Sequence, residues 1–334
     1  MLKEKKIIVV GAGAWGTALA NLLAQNNSAR EVCLIANKTE ICDEINQQHS
    51  NQKFLPNIAL SYNLKSSSKL AEEAVLADFI FVVTPSNVTA ELLQKIAAIN
   101  LKPSCGLIIC SKGLESSSLK FFHQIIAEIL PQKNYATLSG PNFAAEVASG
   151  ALTITTVAAD DKNFAAEVAQ LLQNKNFHTE ISSDVVAAEI CGIVKNIMAI
   201  GCGIVDGLEL GQNTKAALVL QGIAEIKTLC EKFNSKGEVN SAAGFGDIFL
   251  TCASTKSRNN SLGMQIAQGR NAQELLNGGK TYEGAINAEA LNRLAAKLQL
   301  KLPLCQAIAK ILQEKLSQEQ VKKEITAALF AHIL

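Results

Sequence analysis

The sequence predicts an α/β protein, with a doubly wound sheet in the N-terminal part and an all-helical C-terminal domain. Two observations predict this architecture. In the first half, short apolar β-rich runs alternate with helical patterns, which is typical of a parallel sheet covered on both faces. From about residue 184, long stretches favour helix, with few β-rich runs between them.

The strands of the first half are predicted from their apolar and β-branched residues. The runs are "KIIVV" (6–10), "VCLIA" (32–36), "FIFVVT" (79–84), "CGLIIC" (105–110), "YATLSG" (135–140) and "LTITTVA" (152–158). Segments between them, such as "GTALANLLAQ" and "SLKFFHQIIAEIL", have helical period. We place the domain boundary at 189/190, which gives an α/β domain of residues 1–189 and a helical domain of residues 190–334.

Four long stretches predict the helices of the second domain. They are "DVVAAEICGIVKNIMAIGCGIVDG", "TKAALVLQGIAEIKTLCEKF", "NAEALNRLAAKLQL" and "PLCQAIAKILQEKL".

Composition narrows the class of protein. The net charge is +1, from 31 basic and 30 acidic residues, which gives no support for a nucleic acid or anionic membrane partner. The first apolar run meets glycine too soon for a signal peptide or a membrane span. The nine cysteines show no CxxC and no paired histidine spacing, so we expect no metal site. Their odd number, without a secretion signal, indicates reduced thiols and a cytoplasmic protein.

A glycine-rich turn follows the first strand and opens a helix. Gly11, Gly13 and Gly16 fit GxGxxG, the dinucleotide-binding pattern of a Rossmann-type fold, in the context that this pattern requires. The three glycines permit the tight turn, the approach of a pyrophosphate and the close packing of helix on strand. The helix start then offers free N–H groups to the anion. The alternative is a glycine-rich turn that binds nothing.

The end of the second strand bears on the choice of cofactor. NAD-specific sites usually carry an acidic residue there, which binds the ribose 2′-hydroxyl. Here Asn37 and Lys38 come first. Lys38 suits a 2′-phosphate, and Asn37 can bind either form, so we favour NADP(H), with NAD(H) as the alternative. A solvated loop lysine is the other interpretation of Lys38.

One lysine lies in a strongly apolar predicted helix. Lys195 is the only charged residue between Ile190 and Val205. A helix that is apolar on all sides is buried, and burial lowers the pKa of a lysine toward the range of a general base. We therefore predict that Lys195 is catalytic. The alternative is a snorkelling lysine or a structural ion pair.

Further polar residues suit a phosphorylated substrate. Ser257, Arg258 and Asn259 together offer a hydroxyl, a guanidinium and an amide, although they also suit a polar loop before a helix. Asp247 follows a glycine-rich turn, where its other interpretation is a helix cap. Lys112 stands at the carboxyl end of a strand, where open α/β sheets bind ligands, or is a surface lysine.

An ordered set of motifs over nearly the whole chain resembles the bacterial NAD(P)-dependent glycerol-3-phosphate dehydrogenase family. The motifs are "VVGAGAWGTALA", "FLPN", "VVTPSN", "SKGLE", "SGPNFAAEVASG", "VKNIMAIGCGIVDG", "NTKAAL", "GFGDIFLTC", "KSRN" and "YEGAINA". None is decisive by itself, but their order is highly specific.

The resemblance implies site residues at the matching positions. Lys195 matches the proton acceptor. The implied substrate-binding residues are Lys112, Gly140, Asn142, Lys195, Asp247, Ser257, Arg258 and Asn259. The implied cofactor-binding residues are Ala14, Trp15, Lys112, Ala144, Arg258 and Glu283, beside the glycines and the Asn37–Lys38 pair.

The resemblance also implies the reaction. It is the interconversion of sn-glycerol 3-phosphate and dihydroxyacetone phosphate, which supplies glycerol 3-phosphate for phospholipid synthesis, in a homodimer. Three positions depart from the family pattern: Asn142 stands where a hydroxyl residue is common, Asn37 where His or Arg is common, and Tyr282 where a small aliphatic residue is usual. Two alternatives remain: a β-hydroxyacid or ketopantoate-type dehydrogenase, and a non-catalytic nicotinamide-binding regulator.

Overall fold

The structure is a computed structural model that describes residues 5–26 and 31–330 of the 334-residue chain. The prediction of no signal peptide concerns the N-terminal segment, whose first four residues lie outside the described residues. The chain forms two compact units. One comprises residues 1–111 and 122–185, and the other comprises residues 112–121 and 186–334.

The first unit is built on one eight-stranded sheet. Its strands are β1 Lys6–Val10, β2 Glu31–Ile35, β3 Leu64–Ser67, β4 Phe79–Val82, β5 Gly106–Ile109, β6 Tyr135–Ser139, β7 Thr153–Ala158 and β8 Phe177–Ser182. They lie in the order β3-β2-β1-β4-β5-β6-β7-β8. The first six follow the doubly wound Rossmann order, in which the chain reverses direction across the sheet between β1 and β4.

Among the described residues of this unit, seven helices accompany the strands. They are α1 Ala14–Asn26, α2 Thr39–Gln48, α3 Leu70–Ala74, α4 Ser86–Ala97, α5 Phe122–Ile129, α6 Ala144–Ala148 and α7 Lys162–Leu172. The two faces of the sheet bury different apolar clusters: Ile7 and Val9 of β1 lie in one, and Ile8 and Val10 lie in the other. Because both faces of the sheet are covered, consecutive residues of its inner strands are apolar, as in "FIFV" of β4 and "GLII" of β5.

All six predicted strands are present, but the sheet differs from the prediction in two respects. Strands β3 and β8 were not predicted. The pairing of β6 with β7 is antiparallel, and the other pairs are parallel, so the expectation of a parallel sheet is wrong at this pair. The connection from β6 to β7 contains only the short helix α6, which packs against α1, and it returns the chain beside β6 in the opposite direction.

The second unit is helical in the described residues. Its helices are α8 Val185–Gly207, α9 Gln212–Lys232, α10 Asp247–Ala253, α11 Arg258–Ala267, α12 Ala272–Leu276, α13 Glu283–Leu298, α14 Pro303–Gln313 and α15 Gln318–Phe330. A kinked turn, Ala242–Gly246, in which Gly244 has a non-helical backbone, leads directly into α10. The four predicted helices of this region correspond to α8, α9, α13 and α14. Helix α8 runs across position 189/190, and the domain division there stays a prediction.

Helix α8 is almost entirely buried. Within the described residues it is the one helix long and apolar enough to cross a membrane, but 94% of its apolar window is buried inside the protein. Two glycines let α11 cross it with the backbones in contact: a Cβ on Gly203 would lie 2.0 Å from the Asn260 carbonyl oxygen, and a Cβ on Gly263 would lie 2.0 Å from that of Ile200. The small residues of this helix thus serve close packing.

Candidate active site

The glycine turn of the first unit has the backbone that its sequence predicts. Gly11 has a φ of +119°, which L side chains rarely adopt. A Cβ on Gly16 would lie 1.8 Å from the Gly11 carbonyl oxygen, so helix α1 starts in direct contact with the turn. A Cβ on Gly13 would meet no heavy atom within 4 Å, which leaves open space in front of its backbone. The turn and the start of α1 therefore fit a pyrophosphate group.

Other predicted cofactor residues lie in the same unit as this turn. Trp15 and Ala144 are partly buried and pack against one apolar cluster. Asn37 and Lys38 follow β2 and are exposed, and Lys38 occupies the N-cap position of α2 without capping it through its side chain. Both side chains are thus available to a ligand. Their roles stay predictions.

The predicted substrate residues of "SGPN" have contacts of their own. A Cβ on Gly140 would lie 2.8 Å from the Thr155 Cα atom, so packing against β7 alone requires glycine here. The Asn142 amide donates to Thr155 Oγ1 at 3.0 Å, and its Oδ1 atom is buried with no partner among the described residues. Asn142 therefore keeps an unused acceptor and one N–H of its amide group. Substrate binding by both residues stays a prediction.

Three charged side chains meet in the second unit. Asp247, at the start of α10, receives Lys195 Nζ of α8 at 2.7 Å on one carboxylate oxygen and Lys112 Nζ at 2.5 Å on the other. Lys195 is buried, with 6% of its surface exposed, as predicted from its apolar surroundings. Lys195 Nζ also donates to Thr251 Oγ1 at 3.0 Å. We call Lys112, Lys195, Asp247 and Thr251 the lysine cluster.

The electrostatics of the lysine cluster favour proton exchange. Burial lowers the pKa of Lys195 from 10.5 to about 8; the Asp247 carboxylate opposes this shift and the Lys112 ammonium adds to it. Burial raises the pKa of Asp247, but the two ammonium groups outweigh it, so the net pKa is below its usual value. Asp247 is therefore ionised at neutral pH, and Lys195 can change its protonation state near neutrality.

The local backbone explains the position of Asp247. The kinked turn before α10 contains Gly244, where a Cβ would lie 2.0 Å from the Val239 carbonyl oxygen. Ser241 Oγ accepts a hydrogen bond from the Gly244 N–H. Asp247 is the first residue of α10 and not its N-cap. The helix-cap interpretation is therefore wrong, and the carboxylate binds the two lysines instead.

The predicted phosphate residues lie at the start of α11. Ser257 is the N-cap, and its Oγ accepts from the Asn260 N–H at 3.4 Å. Arg258 is exposed. The Asn259 amide donates to Asn196 Oδ1 at 2.9 Å and accepts from the Gly284 N–H at 3.1 Å. The interpretation as a polar loop holds only for the approach to Ser257, because Arg258 and Asn259 are helical.

Sequence reasoning missed three residues that support these groups. Thr251 follows Asp247 by one helical turn, a spacing that places both on one face. Asn196 donates to the Gly192 carbonyl oxygen and links α8 to Asn259. Asn287 is fully buried and donates to the Lys112 carbonyl oxygen at 3.0 Å. Thr251 could have been found from its spacing, whereas the two asparagines carried no such signal.

Glu283, the remaining predicted cofactor residue, is the first residue of α13 and is partly buried.

Within residues 5–26 and 31–330, no group of three His, Cys, Asp or Glu side chains could hold a metal ion. Each of the nine cysteines is a buried, free thiol.

Comparison with known proteins identifies relatives of this chain. The profile of the NAD-dependent glycerol-3-phosphate dehydrogenase N-terminus matches residues 6–165, and that of the C-terminus matches residues 184–323. The chain is 39% identical over 312 residues to "Glycerol-3-phosphate dehydrogenase [NAD(P)+]" of Parvibaculum lavamentivorans, covering 93% of this chain and 92% of the relative.

Solved structures agree with these matches. A glycerol-3-phosphate dehydrogenase from Coxiella burnetii superposes with a TM-score of 0.91 at 32% identity, covering 97% of this chain and 99% of the other. A 2-dehydropantoate 2-reductase from Methylococcus capsulatus has a TM-score of 0.57 at 10% identity, covering 96% of this chain and 98% of the other. The second likeness shows a shared fold alone.

Proposed function

Because the chain belongs to the NAD-dependent glycerol-3-phosphate dehydrogenase family, we propose that it interconverts sn-glycerol 3-phosphate and dihydroxyacetone phosphate. It is an oxidoreductase that uses NAD or NADP. One observation carries the proposal: a buried ammonium group, that of Lys195, is held between a carboxylate and a hydroxyl with its pKa near neutrality. The alternative dehydrogenases are not favoured, because their resemblance extends to the fold alone.

The hydrogen bonds of Lys195 support its proposed role as the proton donor and acceptor. An ammonium group has three N–H donors. Two of those of Lys195 bind Asp247 and Thr251, and the third is left for the C2 oxygen of the substrate. In ketone reduction, Lys195 donates its proton to that oxygen as negative charge develops there. In alcohol oxidation, neutral Lys195 accepts the hydroxyl proton. When bound, the nicotinamide ring supplies or accepts the hydride.

The phosphate group is assigned to the start of α11. The exposed Arg258 guanidinium can bind two phosphate oxygens, and the Ser257 hydroxyl keeps its own proton for donation, since its oxygen is the acceptor in the cap. Asn259 has one N–H left after its bond to Asn196. Lys112 likewise keeps donors beyond Asp247, and it suits both substrate and cofactor.

Finer properties belong to the same proposal. We favour NADPH over NADH because Lys38 is exposed where the cofactor ribose is expected. We propose a cytoplasmic homodimer that supplies glycerol 3-phosphate for phospholipid synthesis. Free thiols at all nine cysteines suit a reducing compartment. Cell fractionation tests the location, and light scattering of the purified protein tests the dimer.

Replacement of the proposed proton donor tests the function. The Lys195→Ala variant should bind NADPH as the unchanged protein does, but its turnover of dihydroxyacetone phosphate should fall by about 10²-fold or more. Lys310→Ala, which removes an exposed lysine that is ion-paired to Glu324, is the control and should keep its turnover. Near-normal turnover of Lys195→Ala would exclude Lys195 as the proton donor.

A further inference from the structure

One buried side chain outside the predicted site reaches the glycine turn. Asn51 follows α2 and is completely buried. Its Nδ2 group donates to the Ala12 carbonyl oxygen at 3.1 Å and to Thr17 Oγ1 at 2.8 Å. Ala12 lies between the first two glycines of the turn, and Thr17 lies in the first turn of α1. A single amide thus joins both ends of the proposed pyrophosphate site.

The "FLPN" motif fixes Asn51 in this position. The Asn51 carbonyl oxygen accepts hydrogen bonds from the N–H groups of Phe54, at 3.2 Å, and Leu55, at 2.8 Å. Leu55 is buried in the apolar cluster that also contains Ala12. The first two residues of the motif therefore close a tight turn that holds the Asn51 backbone in place.

The peptide unit between Ala12 and Gly13 translates this anchor into a direction. In a trans peptide the carbonyl oxygen and the following N–H lie in one plane and point in opposite directions, and no cis bond occurs in the described residues. Since Asn51 holds the Ala12 oxygen toward the interior, the Gly13 N–H points away from it. Gly13 also has open space beside its Cα atom, because an added Cβ would meet nothing within 4 Å, so no side chain stands in the way of a ligand there.

We infer that Asn51 is a positioning residue for the cofactor: it fixes the Ala12–Gly13 peptide so that the Gly13 N–H is aimed at the pyrophosphate. This inference rests on the proposed function, which places a dinucleotide at the turn. This positioning role requires a side-chain amide, because one NH₂ group supplies two N–H donors, one to the Ala12 oxygen and one to Thr17 Oγ1. An ionised carboxylate would supply none. An alanine would leave the Ala12 oxygen with only the long contact from the Thr17 hydroxyl, at 3.5 Å, and would remove the donor to Thr17 Oγ1.

The experiment compares the binding of ADP, which contains a pyrophosphate, with that of AMP, which does not. Calorimetry should show that Asn51→Ala raises the Kd of ADP by about tenfold, the size expected for one lost charge-assisted N–H···O contact, and that of AMP by much less. In turnover, the KM for NADPH should rise by a similar factor while the KM for dihydroxyacetone phosphate stays unchanged. Asn51→Asp keeps the side-chain volume and removes the N–H donors, so it should weaken ADP binding as Asn51→Ala does. It serves as the test variant if Asn51→Ala does not fold.

Asn46→Ala is the matched control. The Asn46 amide also joins two segments, since it donates to and accepts from the Ser66 backbone at 2.9 Å, but the described contacts do not connect it to the turn. This variant should lose thermal stability without losing ADP affinity. Normal ADP binding by folded Asn51 variants, or equal weakening of ADP and AMP, would overturn the inference. An unchanged protein that binds neither ADP nor NADPH would overturn the proposed function as well.

Discussion

Asp247→Asn is the substitution that tests most directly how the lysine cluster works. Two roles are open for Asp247: it sets the protonation and position of Lys195, or it binds a substrate hydroxyl. The structure favours the first role, because both carboxylate oxygens already receive ammonium groups. The asparagine keeps the shape of the side chain but removes the negative charge beside Lys195.

The magnitude follows from the ion-pair distance. Two unit charges separated by 2.7 Å attract by about 6 kcal/mol at an effective dielectric constant of about 20. Even a quarter of this energy corresponds to about one pKa unit. Burial and the Lys112 ammonium, which both lower the pKa of Lys195, would remain in the variant. We therefore expect its pKa to fall from about 8 to about 7 or lower.

The assay is the pH dependence of kcat/KM for dihydroxyacetone phosphate, followed by the loss of NADPH absorbance. Ketone reduction needs protonated Lys195, so the rate should decline as pH rises through the pKa near 8. In Asp247→Asn this decline should begin at least one unit lower. Asp206→Asn, which removes a carboxylate from the ion pair with Lys215, is the control and should not move it. An unmoved decline with a raised KM would assign Asp247 to the substrate hydroxyl and refute our reasoning.

Three further predictions use other parts of the structure. Arg258→Ala should raise the KM for dihydroxyacetone phosphate about 10- to 100-fold, and that for unphosphorylated dihydroxyacetone far less; equal effects, or the same effect in exposed Arg270→Ala, would exclude a phosphate anchor. Lys38→Ala should raise the KM for NADPH more than that for NADH, and a parallel change would remove Lys38 from the 2′-phosphate. Glu225→Ala should cost about 2–4 kcal/mol of unfolding free energy in denaturant titrations, because the buried carboxylate accepts the N–H groups of Leu304 and Cys305 at the start of α14; a loss below 1 kcal/mol (roughly) would contradict this role.

The sequence predicted the fold well where burial is strong. Strands β4 and β5 are apolar throughout, and β1 is apolar after Lys6, since both of their faces are covered. Strands β3 and β8 lie at the two edges of the sheet, and their sequences, "LKSS" and "FHTEIS", are mostly polar, so they carry no such signal. The antiparallel direction of β7 could not be predicted either, because alternation of side chains is the same in both directions.

The site was predictable one residue at a time but not as an arrangement. Lys195 could be singled out because a charge in an apolar helix requires an explanation. Its contact with Asp247 joins residues 52 positions apart, and no local pattern encodes such a distance. Asn51 was missed for a related reason: a buried asparagine in a polar segment looks like any loop residue until its partners, Ala12 and Thr17, are known.

The segment 112–121 makes the two units discontinuous along the chain. It follows β5 in sequence but belongs to the helical unit, where Arg293 binds the Ser116 carbonyl oxygen and the Phe121 ring meets that of Phe233. No single cut can therefore separate the two units. A fragment ending at residue 189 would carry Lys112 away from Asp247 and expose Leu114 and Phe121 to water, and the complementary fragment would display the vacated apolar surface. These two fragments, when produced together, should reassociate through residues 112–121, which pack in the helical unit.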